Sequence, residues 1–230
     1  MSRSTKTIAF DIETTGFAIS DQVTVIGFAL PLGCRVFIQT DGRQIDQPSL
    51  QETCEDTFDM EMSVTAHQTE TDLLKEFSQY VTEAIIPRNY VLVGYNGETY
   101  KGGFDLPFLR TRCIRNDVSW PFHEPVEYVD LLPIFRTLFN TQLDTTEHND
   151  LDHVYTELTD GDLSTKDPFE SSKEAVTAFE NGAFTQLVHH NIVDILQTKK
   201  LTIIARKYCS KSEFRTKSLT PWNNNSEPSF

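Results

Sequence analysis

Four acids and a histidine are the residues of this chain whose types and spacing could do chemistry. Asp11 and Glu13 lie two apart in TIAFDIETTG, at the end of an apolar run that predicts a buried strand. A strand points residues i and i+2 to one face, so both carboxylates reach the same patch. Such a pair offers the oxygen ligands that Mg²⁺ or Mn²⁺ takes beside a substrate phosphate. Taken alone, the pair reads equally well as two solvated acids at a strand end. Asp105 follows a Gly-rich loop in GYNGETYKGGFDLPFLRTR, between Phe104 and an apolar LPFL. An acid there needs a partner if it is buried. It can be a ligand, the N-cap of the following helix, or both, with Pro107 in the first turn.

Asp194 and His190 belong to TQLVHHNIVDILQTKKL, within a long helix expected from about Phe184 to Tyr208. At about 100° per residue, Phe184, Leu187, Val188, Ile192, Ile195 and Leu196 make one apolar stripe. Asp194 and His190 fall on one flank of it, about 40° apart, and His189 falls on the other. A carboxylate and an imidazole one turn apart suit a ligand with a neighbouring proton acceptor. The wheel favours His190 over His189, provided the helix is continuous through residue 189. A helix that began at residue 190 would return the advantage to His189.

The elements that must position these groups read as α/β. Strands are expected at residues 7–12, 22–30, 34–39, 90–95 and 126–131. Thr69 and Asp72 have capping-box spacing, and the apolar run Leu73 to Ile85 recurs at helical intervals until Pro87. Helices are also expected at residues 105–115 and from Leu132 to Leu138. Residues 41–63 are polar and acidic and read as a surface excursion. Residues 144–180 carry eleven acids and two lysines and read as loop and short helices on the side away from substrate. Residues 1–217 are expected to form one domain, and 218–230 have the composition of a flexible tail.

Composition excludes several classes. The four cysteines form no CxxC pair, so neither a zinc site nor a disulfide framework is indicated. No apolar stretch is long enough to span a membrane, and the start of the chain carries no signal region, so a cytoplasmic protein is expected. Neither GxGxxG nor GxxxxGK[ST] occurs. The formal net charge of −14 opposes nucleic-acid binding if it is spread evenly, so a nucleic-acid enzyme would need local basic surface. Residues 199–217 supply seven basic residues, Lys207 and Lys211 among them, against Glu213 alone. Arg110, Arg112 and Arg115 form a second group just after Asp105. Both groups follow a proposed ligand and suit contact with phosphates.

Together these fragments resemble the DEDD superfamily of 3′–5′ exonucleases, most closely the predicted exonucleases related to the proofreading domain of family-B DNA polymerases. AFDIETTGF resembles the first motif, with Asp11 and Glu13. GYN…GGFDLPFLRTR resembles the second, with Asp105 and the supporting residues Asn96 and Phe104. HNIVD resembles the third, with Asp194, and VEYVDLLPIF a linking strand. The resemblance spans roughly residues 7–200 and implies an RNase H-like fold with a mixed five-stranded sheet flanked by helices. It implies two Mg²⁺ or Mn²⁺ ions held by Asp11, Glu13, Asp105 and Asp194, with a histidine as proton acceptor. The implied substrate is single-stranded DNA or RNA, shortened from its 3′ end to nucleoside 5′-monophosphates.

The chain departs from the family pattern twice. GETYKGG places seven residues between Asn96 and Phe104 where the family usually has three. In the third motif His190 holds the position where relatives carry Tyr, and His189 the position where others carry His. Two other classes fit the same fold: a catalytically silent module that binds nucleic acid or a polymerase, and a metal-dependent endonuclease.

Overall fold

The computed structural model describes residues 6–98, 104–142 and 148–222. The first strand, β1 (Thr7–Thr14), pairs antiparallel with β2 (Val23–Leu30), which pairs antiparallel with β3 (Gly33–Gln39). Helix α1 (Gln47–Phe58) leads into β4 (Met62–His67), which lies parallel to β3 at one edge. Helix α2 (Glu70–Tyr80) runs on through a π-helical turn and a 3-10 turn to β5 (Val91–Gly94), parallel to β1. Helix α3 (Asp105–Arg115) precedes β6 (Glu127–Asp130), parallel to β5. Four helices follow: α4 (Leu132–Leu138), α5 (Leu151–Leu158), α6 (Ser172–Asn181) and α7 (Phe184–Tyr208). The short β7 (Lys217–Ser218) closes the far edge against β6.

The sheet is mixed and has seven strands, in the order β4-β3-β2-β1-β5-β6-β7, not the five expected. The five expected strands form its centre, and β4 and β7 extend its two edges. β4 escaped the sequence reading because MSVTAH is short and begins at the end of an acidic excursion. β7 is only two residues long. Past Lys217 the chain was expected to be a tail, yet Leu219 is buried and the Trp120 indole N–H donates to its carbonyl at 3.1 Å. Residues 223–230 lie outside the described residues.

Residues 41–63, expected as a surface excursion, instead build α1 and the start of the edge strand. Gln47, Gln51 and Glu55 recur every four residues along α1. Their side-chain oxygens accept from the backbone N–H groups of Ala66, Val64 and Met62 at 2.9, 3.2 and 3.2 Å. Four helical residues rise about 6 Å and two strand residues about 6.6 Å, so the two repeats stay in step. The donors that an edge strand leaves open are thereby occupied.

Alternation along β1 divides its side chains between two cores. Ile8, Phe10 and Ile12 pack with α2 and α3, while Ala9 packs with α1 and α7. Asp11 and Glu13 therefore face α7. That helix is unbroken from residue 184 to 208. All six residues of its expected stripe are buried, but so are Asn191, Val193, Gln197, Thr198 and Leu201. The stripe widens because residues 150–181 cover the face that the sequence left to solvent. Among the described residues, no helix is long and apolar enough to cross a membrane.

Candidate active site

Two elements carry most of the site. β1 presents Asp11 and Glu13 on one face, and the register with β2 is irregular just beyond Glu13, where a bulge re-aims the strand end. α7 presents Asn191, His190 and Asp194 toward that face. The His190 Nε2 atom lies 4.0 Å from Glu13 Oε1 and 3.8 Å from Asp194 Oδ2. Asn191 donates its amide N–H to Asp11 Oδ2 at 2.9 Å. His189 points elsewhere, its ring edge-on to Phe58 with centroids 5.5 Å apart. Because α7 is continuous through residue 189, the helical wheel resolves toward His190.

Asp105 is the first residue of α3, with Phe104 at the cap position, so the helix-cap alternative does not describe it. It is buried, 7% exposed, and after that burial the charges that raise its carboxyl are those of Glu13, Asp130 and Asp194. The described start of the loop before it, residues 96–98, is held by Asp130. The Asp130 carboxylate accepts from the backbone N–H groups of Asn96, Glu98 and Leu132 at 2.9, 3.0 and 3.0 Å. Asn96 stands at φ 62°, a left-handed turn conformation that asparagine tolerates. Of the GETYKGG insertion, residues 99–103 lie outside the described residues.

Burial and mutual repulsion dominate the electrostatics. Burial first, then Glu13, Asp105 and Asp194, hold the Asp11 carboxyl well above the usual range. Asp105 is raised in the same way. Burial raises Glu13, with His190 and Asn191 pulling the other way. Burial raises Asp194 to about 7, with His190 opposing. For His190 burial disfavours the charge, but Asp194, Glu13 and Asp167 outweigh it and raise the imidazole to about 10. Four acids in one place, Glu13 and Asp105 buried and Asp11 and Asp194 half-buried, call for a counter-ion.

The residues present fit a divalent cation. A Glu13 carboxylate oxygen, a ring nitrogen of His190 and an Asp194 oxygen lie within 4.8 Å of one another. Glu13 Oε1 is buried with no hydrogen-bond partner, a free lone pair aimed into the cluster. Carboxylate oxygens suit Mg²⁺ or Mn²⁺, and the imidazole beside them is left as a neighbouring base. The cleft above them measures about 220 Å³ and is lined by Asp11, Glu13, Phe17, Phe104, Lys173 and His190 among others. A larger cavity of about 510 Å³ between α4 and residues 212–217 meets only one of the buried acids, Asp130, which is already engaged by backbone N–H groups.

Several expected substrate contacts are not among the residues that line this cleft. Lys207 is thirteen residues beyond Asp194 on α7, about 20 Å along the axis, and Lys211 lies past the end of that helix. Arg110 sits over the Trp120 ring at 5.2 Å, with Glu98 3.8 Å away. Arg112 is buried and pairs with both oxygens of Glu70 at 2.7 and 2.5 Å, so it is structural. Phe104 does reach the cleft, edge-on to Phe17 with centroids 4.8 Å apart, and Phe17 is 81% exposed.

The acidic stretch expected to face away from substrate instead enters the site. Asp167 contacts His190 Nδ1 with both oxygens at 2.9 Å, and Lys173 and Val176 of α6 line the cleft. Asn191, Asp167, Lys173 and Phe17 were not singled out from the sequence. Asn191 and Phe17 lie inside the motif strings quoted above, which was the signal available for them.

A family model described as the RNase_H superfamily matches residues 8–205, and the chain belongs to that superfamily. The matched span runs from the start of β1 almost to the end of α7 and includes every member of the cluster. Membership suggests a nuclease, a hydrolase acting on nucleic acid with divalent metal ions. No curated protein matches the chain.

Proposed function

We propose that this protein is a metal-dependent 3′–5′ exonuclease of the DEDD type, acting on single-stranded DNA or RNA. The observation that carries the reading is the convergence of Asp11 and Glu13 from β1 with His190 and Asp194 from α7 in one cleft. Asp105 adds the fourth acid from the start of α3.

In this reading Asp11, Glu13, Asp105 and Asp194 hold two divalent cations. Bound there, the cations supply charge stabilisation at the scissile phosphate and lower the pKa of water. His190 Nε2 faces the same space; bound cations would offset the acids that hold the imidazole charged, and the neutral ring would then accept the proton that the attacking water gives up. Asn191 fixes the rotamer of Asp11 by donating to one oxygen, which leaves the other for a cation. Phe17 and Phe104 offer an aromatic edge against which the terminal base can stack. A cleft of about 220 Å³, bounded by Phe104 on one side and α6 on the other, suits a strand end better than a continuous duplex.

The deciding experiment is a time course on 5′- and 3′-labelled single-stranded DNA and RNA with Mg²⁺ or Mn²⁺. Stepwise shortening from the 3′ end, abolished in Asp11→Asn and Asp194→Asn, is expected. Internal cuts would favour an endonuclease, and no product would favour a silent binding module.

A further inference from the structure

His190 is held from behind by a three-residue turn, Asp167-Pro168-Phe169, that the exonuclease motifs do not contain. Both Asp167 oxygens lie 2.9 Å from His190 Nδ1. The Phe169 ring stands edge-on to the imidazole, with centroids 5.3 Å apart at 64°. Pro168 disfavours helical backbone at the residue before it, and Asp167 is accordingly extended at φ −69°, ψ 124°. The Phe169 N–H closes the turn by donating to Asp167 Oδ1 at 3.0 Å.

The turn is itself anchored on α7. Asp167 follows the 3-10 turn Ser164–Lys166, and its N–H donates to the Ser164 carbonyl at 3.2 Å. The Ser164 hydroxyl accepts from Gln197 Nε2 at 3.2 Å, and the same amide donates to Asp152 at 2.8 Å. Gln197 is fully buried and lies two turns along α7 from His190. Lys166 Nζ ties the turn to α1 through the Thr57 carbonyl at 2.8 Å. The helix that carries His190 and Asp194 thus also seats the segment that grips His190.

The geometry points to Asp167 as a positioning residue that accepts the His190 Nδ1–H and thereby commits Nε2 to the space between Glu13 and Asp194. Without that acceptor the ring can flip about its Cβ–Cγ bond or exchange tautomers, and Nε2 loses its aim. Phe169 limits the ring plane that the carboxylate alone would leave free. Outer partners of this kind typically contribute about 10- to 100-fold to activity at metal sites. The inference rests on the exonuclease reading for its kinetic consequence, though not for the hydrogen bond.

The test uses the full chain and two readouts. In metal-free, ¹⁵N-labelled protein, a downfield ring N–H proton is expected from His190, assigned by its loss in His190→Gln. Asp167→Ala should remove that signal while the folded backbone spectrum persists. With Mn²⁺, Asp167→Ala should lower kcat about 10- to 100-fold and leave KM unchanged. A signal that survives in folded Asp167→Ala, or a wild-type kcat, overturns the assignment. If the alanine variant does not fold, Asp167→Asn keeps the volume and exchanges the charged acceptor for a neutral one, so the ring N–H signal should move upfield, and an unmoved signal overturns the assignment. Wild-type protein with no nuclease activity would sink the exonuclease reading, while the ring proton would still decide the positioning contact.

Discussion

Asn191 reaches Asp11 over a residue that has no side chain. Gly27 pairs directly with Asp11 across the β1–β2 ladder, and a Cβ at Gly27 would lie 2.0 Å from Asn191 Oδ1. The contact between α7 and the first motif therefore depends on a glycine in a third position of the chain. Gly27→Ala should push Asn191 away and release the Asp11 rotamer, at a cost of about 1–3 kcal/mol in stability as an overpacked core. Urea denaturation would give that loss, and titration calorimetry should find weaker Mn²⁺ binding. Unchanged stability and affinity would show that the helix simply shifts.

Neutralising a site carboxylate should stabilise the metal-free protein while abolishing turnover. Burial raises Asp194 to about 7, so at pH 8 the folded state holds an ionised group it disfavours. Asp194→Asn removes the charge at nearly constant volume. The melting temperature without metal should rise, and nuclease activity should fall by at least about 100-fold, the scale of losing a group that acts on the transition state. A lower melting temperature would mean that the His190 attraction outweighs the cost of burial.

The same groups give the metal-free protein a pH dependence of definite sign. Folding raises Asp194 from 3.8 to about 7, which favours its protonated form, so that contribution is full below about pH 3.8 and is lost as pH rises through 7. Folding raises His190 from 6.5 to about 10, which favours its charged form, so that contribution is full below 6.5 and is lost toward 10. Both make this cluster less stable as pH rises. A divalent cation competes with protons and reverses the trend. Mn²⁺ at about 100 times its Kd adds about 2.7 kcal/mol, which for a chain of this size raises Tm by about 5–10 °C. The gain should be large at pH 8 and small at pH 5 in a calorimetric scan. An equal gain at both values would argue against carboxylate ligation.

The legibility of this site follows the range of each signal. The two-residue period of β1 and the helical period of α7 are local, so the facing of Asp11, Glu13, His190 and Asp194 could be read from single segments. The ends of α3 and α7 likewise agree with the residues named from the sequence. Asp167 could not be found that way, because it is one acid among eleven and its partner is twenty-three residues on. α1 was hidden for a related reason. Gln47, Gln51 and Glu55 look solvated, and only the edge strand opposite gives their spacing a purpose. The basic run after residue 199 was legible as charge but not as location, since a helix of 25 residues carries its end far from its start.

That last point moves the expected phosphate contact to Lys173. It is the one lysine or arginine among the described residues lining the cleft, and it stands on α6 opposite the acids of β1. Binding to a single strand weakens with salt by a slope of about −0.7 per phosphate neutralised. Lys173→Gln should flatten the salt dependence of binding to short single-stranded oligonucleotides by about that amount. Measured by fluorescence anisotropy with Ca²⁺ in place of the active metal, the affinity should fall whatever the base sequence. Lys207→Gln, about 20 Å further along α7, should leave a trinucleotide's salt slope unchanged and affect only longer strands. If Lys207 and not Lys173 governs the trinucleotide, the strand runs along α7 and the cleft wall formed by α6 is not its path.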